Sequence, residues 1–197
     1  LPALLRAQTA PLHDQIEALL GLPAAICTRD DYVLWLARFL GLYEPLERAL
    51  AGFPRWDTLG FASPLPRHSA WLAADLVALG ADPAGVPRAP PGMLPDLPTF
   101  AHALGTLYVL EGATLGGRVI LRDLVARIGV PITGATGFFG GRGQAAGPMW
   151  QSFRTALDAY GRENPGLCPD VVTGAERTFR ALLAWFLPFG CVAERRT

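Results

Sequence analysis

The chain contains no lysine, so all 17 of its basic residues are arginine. Every cationic contact must therefore use a guanidinium. The 17 basic residues are balanced by 17 acidic ones, and no basic run occurs. That excludes nucleic-acid binders that work through a net positive surface. Cysteine is scarce: Cys27, Cys168 and Cys191 stand far apart and form no CxxC pair. Neither a disulfide framework nor a zinc site is indicated, and a reduced, cytoplasmic setting is expected. No stretch reads as a membrane span; the longest apolar stretches, such as 100–121, contain Glu111 and Arg118, which would be costly in lipid. No secretory leader pattern opens the chain, and Leu1 in place of Met fits a start that is trimmed or lies upstream. Period-two strand patterns and internal repeats are missing as well.

What is present is helical periodicity in a chain of 197 residues, 51% of them apolar. That length suits one domain, expected to span 1–197. Leu4, Leu5, Leu12, Ile16, Leu19 and Leu20 recur at three- and four-residue steps. Pro11 leaves two readings open: a helix kinked in its middle, or a helix that begins near Pro11. Thr28 and the acids Asp30 and Asp31 predict a second helix running to Leu50, ended by Gly52-Phe-Pro54. Ser63-Pro64 predicts the start of a third, closed by Gly80. Six prolines make 81–98 a loop, and seven glycines make 129–147 a flexible one. Further helices are predicted over about 99–128, 148–163 and 170–187. The fold class is all-α, a single-domain multi-helix bundle.

Two constellations could carry chemistry. His13 has Glu17 one turn later on the same face, where a carboxylate can accept one ring N–H and leave the other nitrogen as a metal donor. A solvated His–Glu pair is the plainer reading. Arg6 lies two turns before His13, about 10 Å along a continuous helix. The second constellation is Tyr108-Val-Leu-Glu-Gly-Ala-Thr-Leu-Gly-Gly-Arg118. Three glycines, Gly112, Gly116 and Gly117, each weaken a helix interior by about 1 kcal/mol. Close helix packing or a flat ligand against bare backbone would offset that. His68 and His102 read as structural histidines, and the three cysteines lack an activating context.

The segment Leu5-Arg-Ala-Gln-Thr-Ala-Pro-Leu-His13-Asp-Gln-Ile-Glu17 resembles the proximal helix of heme oxygenases. Leu107-Tyr-Val-Leu-Glu-Gly-Ala-Thr-Leu-Gly-Gly117 resembles their glycine-rich distal helix, most like bacterial members that accompany bacteriophytochromes. Length, spacing of the motifs and the later Trp150-Gln-Ser-Phe-Arg154 agree, so the resemblance covers most of the chain. It implies a heme oxygenase-like bundle with His13 as iron ligand and Glu17 as its acceptor. Arg6 and Arg154 would contact the heme carboxylates, while Gly112, Gly116 and Gly117 would line the distal face. Tyr108 and Phe179 would pack near the porphyrin, with Thr9 on the proximal wall. The implied reaction is oxidative cleavage of heme, both substrate and cofactor, to biliverdin, carbon monoxide and ferrous iron. It needs molecular oxygen and an external electron donor of ferredoxin or reductase type, and a bacteriophytochrome could receive the biliverdin. Nucleic acid and membrane are not expected partners.

One departure stands out. Many family members carry an Asp immediately after the first glycine of the distal helix, where this chain has Ala113. Proton delivery then falls to other groups, such as Arg118 or waters held by the backbone. This keeps a rival in play, a heme-binding or heme-transfer protein without turnover. Two further rivals are a non-heme bundle, such as a pyrimidine hydrolase of thiamin salvage with a reactive cysteine, and a purely structural helical domain.

Overall fold

A computed structural model describes residues 1–54, 56–59, 68–129 and 132–193. Six long helices carry the chain: α1 (Pro2–Leu20), α2 (Arg29–Ala51), α3 (His68–Ala78), α4 (Phe100–Ile128), α6 (Ala146–Glu163) and α7 (Cys168–Ala193), with a single turn, α5 (Gly137–Gly140), before α6. No strand occurs among the described residues, and none of their helices is long and apolar enough to cross a membrane.

Local signals account for most helix ends. Pro2 occupies the first turn of α1, where its missing N–H is no loss. Gly21 closes that helix at φ 57°, and its N–H reaches the Glu17 carbonyl at 3.0 Å. The helix runs unbroken through Pro11, so Arg6 and His13 stand on one continuous element. At α2, Thr28 Oγ1 accepts the Asp31 N–H at 3.1 Å and Asp31 Oδ2 accepts the Thr28 N–H at 2.9 Å, a reciprocal capping box. The expected start of the third helix at Ser63-Pro64 lies outside the described residues. The last helix is longer than the expected 170–187, beginning at Cys168 and continuing past Pro188 to Ala193.

Buried residues of all six long helices join one hydrophobic cluster. Within it α7 is the common support: α1 and α4 each pack along it, yet touch each other little. The α4–α7 crossing is made close by two glycines. A Cβ on Gly105 would strike the Val171 carbonyl and approach the Ala175 nitrogen to 2.6 Å, and one on Gly174 would strike the His102 carbonyl. Thr106 and Thr178 hydroxyls meet beside that crossing at 2.8 Å. The proline-rich loop docks on α2, where the Ala89 N–H donates to the Gly41 carbonyl at 2.8 Å. Trp185 Nε1 donates to the Arg38 carbonyl at 2.8 Å, and the Arg38 guanidinium lies 3.7 Å over the same indole.

The glycine-rich segment is more ordered than its composition suggests. Asp75 of α3 accepts the N–H groups of Gly137 and Phe138, each at 2.8 Å, and so fixes the start of α5. Burial raises the Asp75 carboxyl above its ordinary value, partly offset by these two bonds. Tyr32 adds a hydroxyl bond to the Ala135 carbonyl at 2.8 Å.

Candidate functional site

Because α1 and α4 lean on α7 and not on each other, a cavity of about 710 Å³ lies between them. That is within the usual range of small-molecule sites, about 300–1,000 Å³. From α1 come Arg6, Thr9, His13 and Glu17; from α4 come Tyr108, Gly112, Gly116 and Gly117. Arg154 of α6 and Phe179 of α7 complete the group. All ten residues singled out in the sequence thus reach one cavity.

The His13 side chain is 54% exposed, with Nδ1 3.6 Å from Glu17 Oε2 and 3.9 Å from Asp14 Oδ1. Its ring meets Phe179 edge to face at 6.1 Å. Two carboxylates therefore stand near one ring nitrogen, an arrangement that favours Nδ1–H and leaves Nε2 as the donor atom. Asp14 was not anticipated as a second acceptor. The donor atoms of His13, Asp14 and Glu17 lie within 4.8 Å of one another, a spacing that suits a cation.

The two arginines of the cavity differ from most of the others. Arg29, Arg48, Arg88, Arg122, Arg142, Arg162, Arg177 and Arg180 each hold an acid. Arg6 and Arg154 form no ion pair among the described residues. Both sit close enough to Tyr108 for their charges to act on its hydroxyl, which burial nevertheless pushes above the ordinary tyrosine value. Thr9 stands beside that hydroxyl and donates its own to the Leu5 carbonyl at 2.8 Å. One region of the cavity thus presents two guanidiniums, a phenol and a threonine, a set matched to an anionic group.

The glycine triplet divides by environment. Gly117 is there for packing, since a Cβ would stand 2.6 Å from the Phe139 carbonyl oxygen of α5. Gly112 faces the Trp150 ring, which a Cβ would meet at 3.5 Å. Gly116 has nothing within 4 Å and leaves bare backbone at the cavity. Close packing therefore accounts for Gly117, while Gly116 leaves open backbone that packing does not require.

The acid nearest to Ala113 is engaged elsewhere. Glu111 is buried, pairs with Arg142 at 3.0 Å and is not part of the cavity wall. Arg118 is exposed, reaches toward the Gly143 carbonyl at 3.5 Å, and is likewise off the wall. The expected use of Arg118 in proton delivery is not supported by this geometry. Among the described residues, Cys27 and Cys168 are unpaired thiols and neither lines the cavity.

Sequence reading missed Phe39, Tyr43, His68, Phe138 and Phe139, which also form the wall. The Phe138-Phe139 pair inside a glycine-rich stretch was the available signal for two of them, because large apolar rings flanked by glycines need a place to bury. Comparison with protein-family models, with curated proteins and with solved structures gave no match.

Proposed function

We propose that this chain is a heme oxygenase-like protein that binds heme between α1 and α4 and cleaves it to biliverdin, carbon monoxide and ferrous iron. The observation that carries the reading is the convergence of a carboxylate-backed histidine, bare helix backbone and two unpaired guanidiniums on one cavity. The donor set suits the ligand. His13 would offer a neutral imidazole nitrogen to the iron. Arg6 and Arg154 would take the carboxylates, a bidentate match that lysine could not give. Gly116 would let a flat ring approach the helix backbone, and Phe179, Tyr108 and Trp150 would cover its apolar faces and edges.

Heme, when bound, supplies the iron and the macrocycle on which oxygen chemistry takes place. The chain contributes orientation and exclusion of water. Glu17 and Asp14 stand near His13 Nδ1 and would orient the ring, Thr9 and Tyr108 would order the anionic end, and Leu182, Ile16 and Val109 give the cavity an apolar wall. Electrons come from a separate donor, because the sequence carries no flavin or nicotinamide motif. A second reading, heme binding without turnover, is favoured by Ala113 and by the engagement of Glu111 with Arg142.

Hemin titration of the purified protein tests the reading, followed by ascorbate under air with catalase present. A Soret band saturating at one hemin per chain, then lost as a broad red bilin band grows, is expected. A Soret band that survives the reductant would leave the binding reading. No Soret band, or one unchanged in His13→Ala, would overturn both.

A further inference from the structure

One buried polar group of the cavity wall takes no part in the scheme above. The His68 side chain is 3% exposed, and neither of its ring nitrogens has a hydrogen-bond partner. Buried polar atoms in folded proteins nearly always have one. The ring is not loose. Glu47 Oε1 accepts the His68 backbone N–H at 2.7 Å and lies 3.4 Å from Nδ1, while Oε2 accepts the Ser69 N–H at 3.2 Å and the Ser69 hydroxyl. Rings of Tyr43, Trp71 and Phe138 surround the imidazole edge to face at 5.3, 5.5 and 6.2 Å.

A carboxylate beside Nδ1 favours the Nδ1–H tautomer and leaves Nε2 as an acceptor. The surrounding aromatic rings give Nε2 no donor, and the His68 side chain belongs to the cavity wall. This is also the side of the α4 glycines: Phe138 precedes Phe139, whose carbonyl abuts Gly117. We infer that His68, held by Glu47, is a positioning residue for water inside the cavity, accepting a hydrogen bond at Nε2 from water that faces the bound ligand. The inference rests on the proposed heme site, where it fills the role left open by Ala113.

The test is carried out on the full chain with zinc protoporphyrin, a redox-inert probe whose binding is read by fluorescence. Ring-nitrogen NMR follows His68, with His102 as internal reference, because His102 is buried outside the cavity and its Nδ1 is 2.8 Å from the Thr99 hydroxyl. Loading is expected to move the His68 Nε2 resonance and leave His102 in place, and Glu47→Gln is expected to change the His68 tautomer balance. In the hemin-loaded ferrous carbonyl form, His68→Leu should shift the C–O stretch and His68→Gln should restore it partly. Porphyrin binding with an unmoved His68 resonance would overturn the inference and leave the proposed function standing. Failure of the probe and of hemin to bind would overturn the proposed function, and the inference with it.

Discussion

Gly116 and Gly117 are neighbours in the same helix, and replacing each with alanine should change stability in opposite directions. In a helix interior, alanine is favoured over glycine by about 0.8–1 kcal/mol. At Gly116 a Cβ meets nothing within 4 Å, so the apo protein keeps that gain. For a domain of this length the melting temperature should rise by about 2–4 °C. At Gly117 the same gain is opposed by a Cβ 2.6 Å from the Phe139 carbonyl oxygen and 3.4 Å from its Cα. Backbone cannot turn aside as a side chain can, and α5 is held by the two Asp75 bonds. Overpacking of this kind costs about 1–3 kcal/mol, which leaves Gly117→Ala destabilised by up to about 2 kcal/mol. Ligand binding reverses the ranking at Gly116, because the new methyl stands at the cavity. Hemin affinity of Gly116→Ala should fall about tenfold, equivalent to about 1.4 kcal/mol. Urea denaturation of the apo proteins and hemin titration of the same samples measure both quantities. Equal signs for the two stability changes would refute the division of the triplet. Unaltered hemin affinity in Gly116→Ala would refute its place at the ligand.

The other expectations concern charge and ionisation. Arg6→Gln and Arg154→Gln should each weaken hemin binding about fivefold, the modest size reflecting exposed side chains, and a dimethyl ester of the porphyrin should bind the variants and the parent alike. Tyr32, Tyr43 and Tyr108 are all pushed above the ordinary tyrosine value, chiefly by burial. Their phenols hold protons more tightly folded than unfolded, so stability should be unaffected below pH about 10 and decline above it. Absorbance at the tyrosinate band, with and without urea, checks this. Glu111→Ala should cost about 1–3 kcal/mol by leaving the partly buried Arg142 without its acid, read as a lower urea midpoint. Full stability in that variant would show that the pair is not structural.

The parts of the molecule that were legible in the sequence are those set by near neighbours. Thr28 and Asp31 form the cap that their spacing predicts, and Arg6, His13 and Glu17 share a face because seven- and four-residue steps repeat a helix turn. Contacts between distant segments were not legible. Gly105 and Gly174 make the close crossing, yet neither stands in a conspicuous motif, and nothing local says that they meet. The triplet drew attention through its density, although only Gly117 is required by protein packing. His68 looked like an ordinary buried histidine because its acid, Glu47, is 21 residues away on another helix. The single turn α5 was hidden in a glycine-rich stretch, since what fixes it is a carboxylate from α3.

The wall that α4 presents to the cavity behaves as a beam secured at two points. One clamp is the Gly105–Gly174 crossing; the other is the seat of Gly117 on the Phe139 carbonyl. The span between them is 12 residues, about 18 Å of helix. At the second clamp the load passes through α5 to Asp75, a residue with no place on the cavity wall. The distance between the two walls is therefore governed in part from α3. Gly112 and Gly116 lie within the span, the part of the helix that a bend at glycine would move relative to α1.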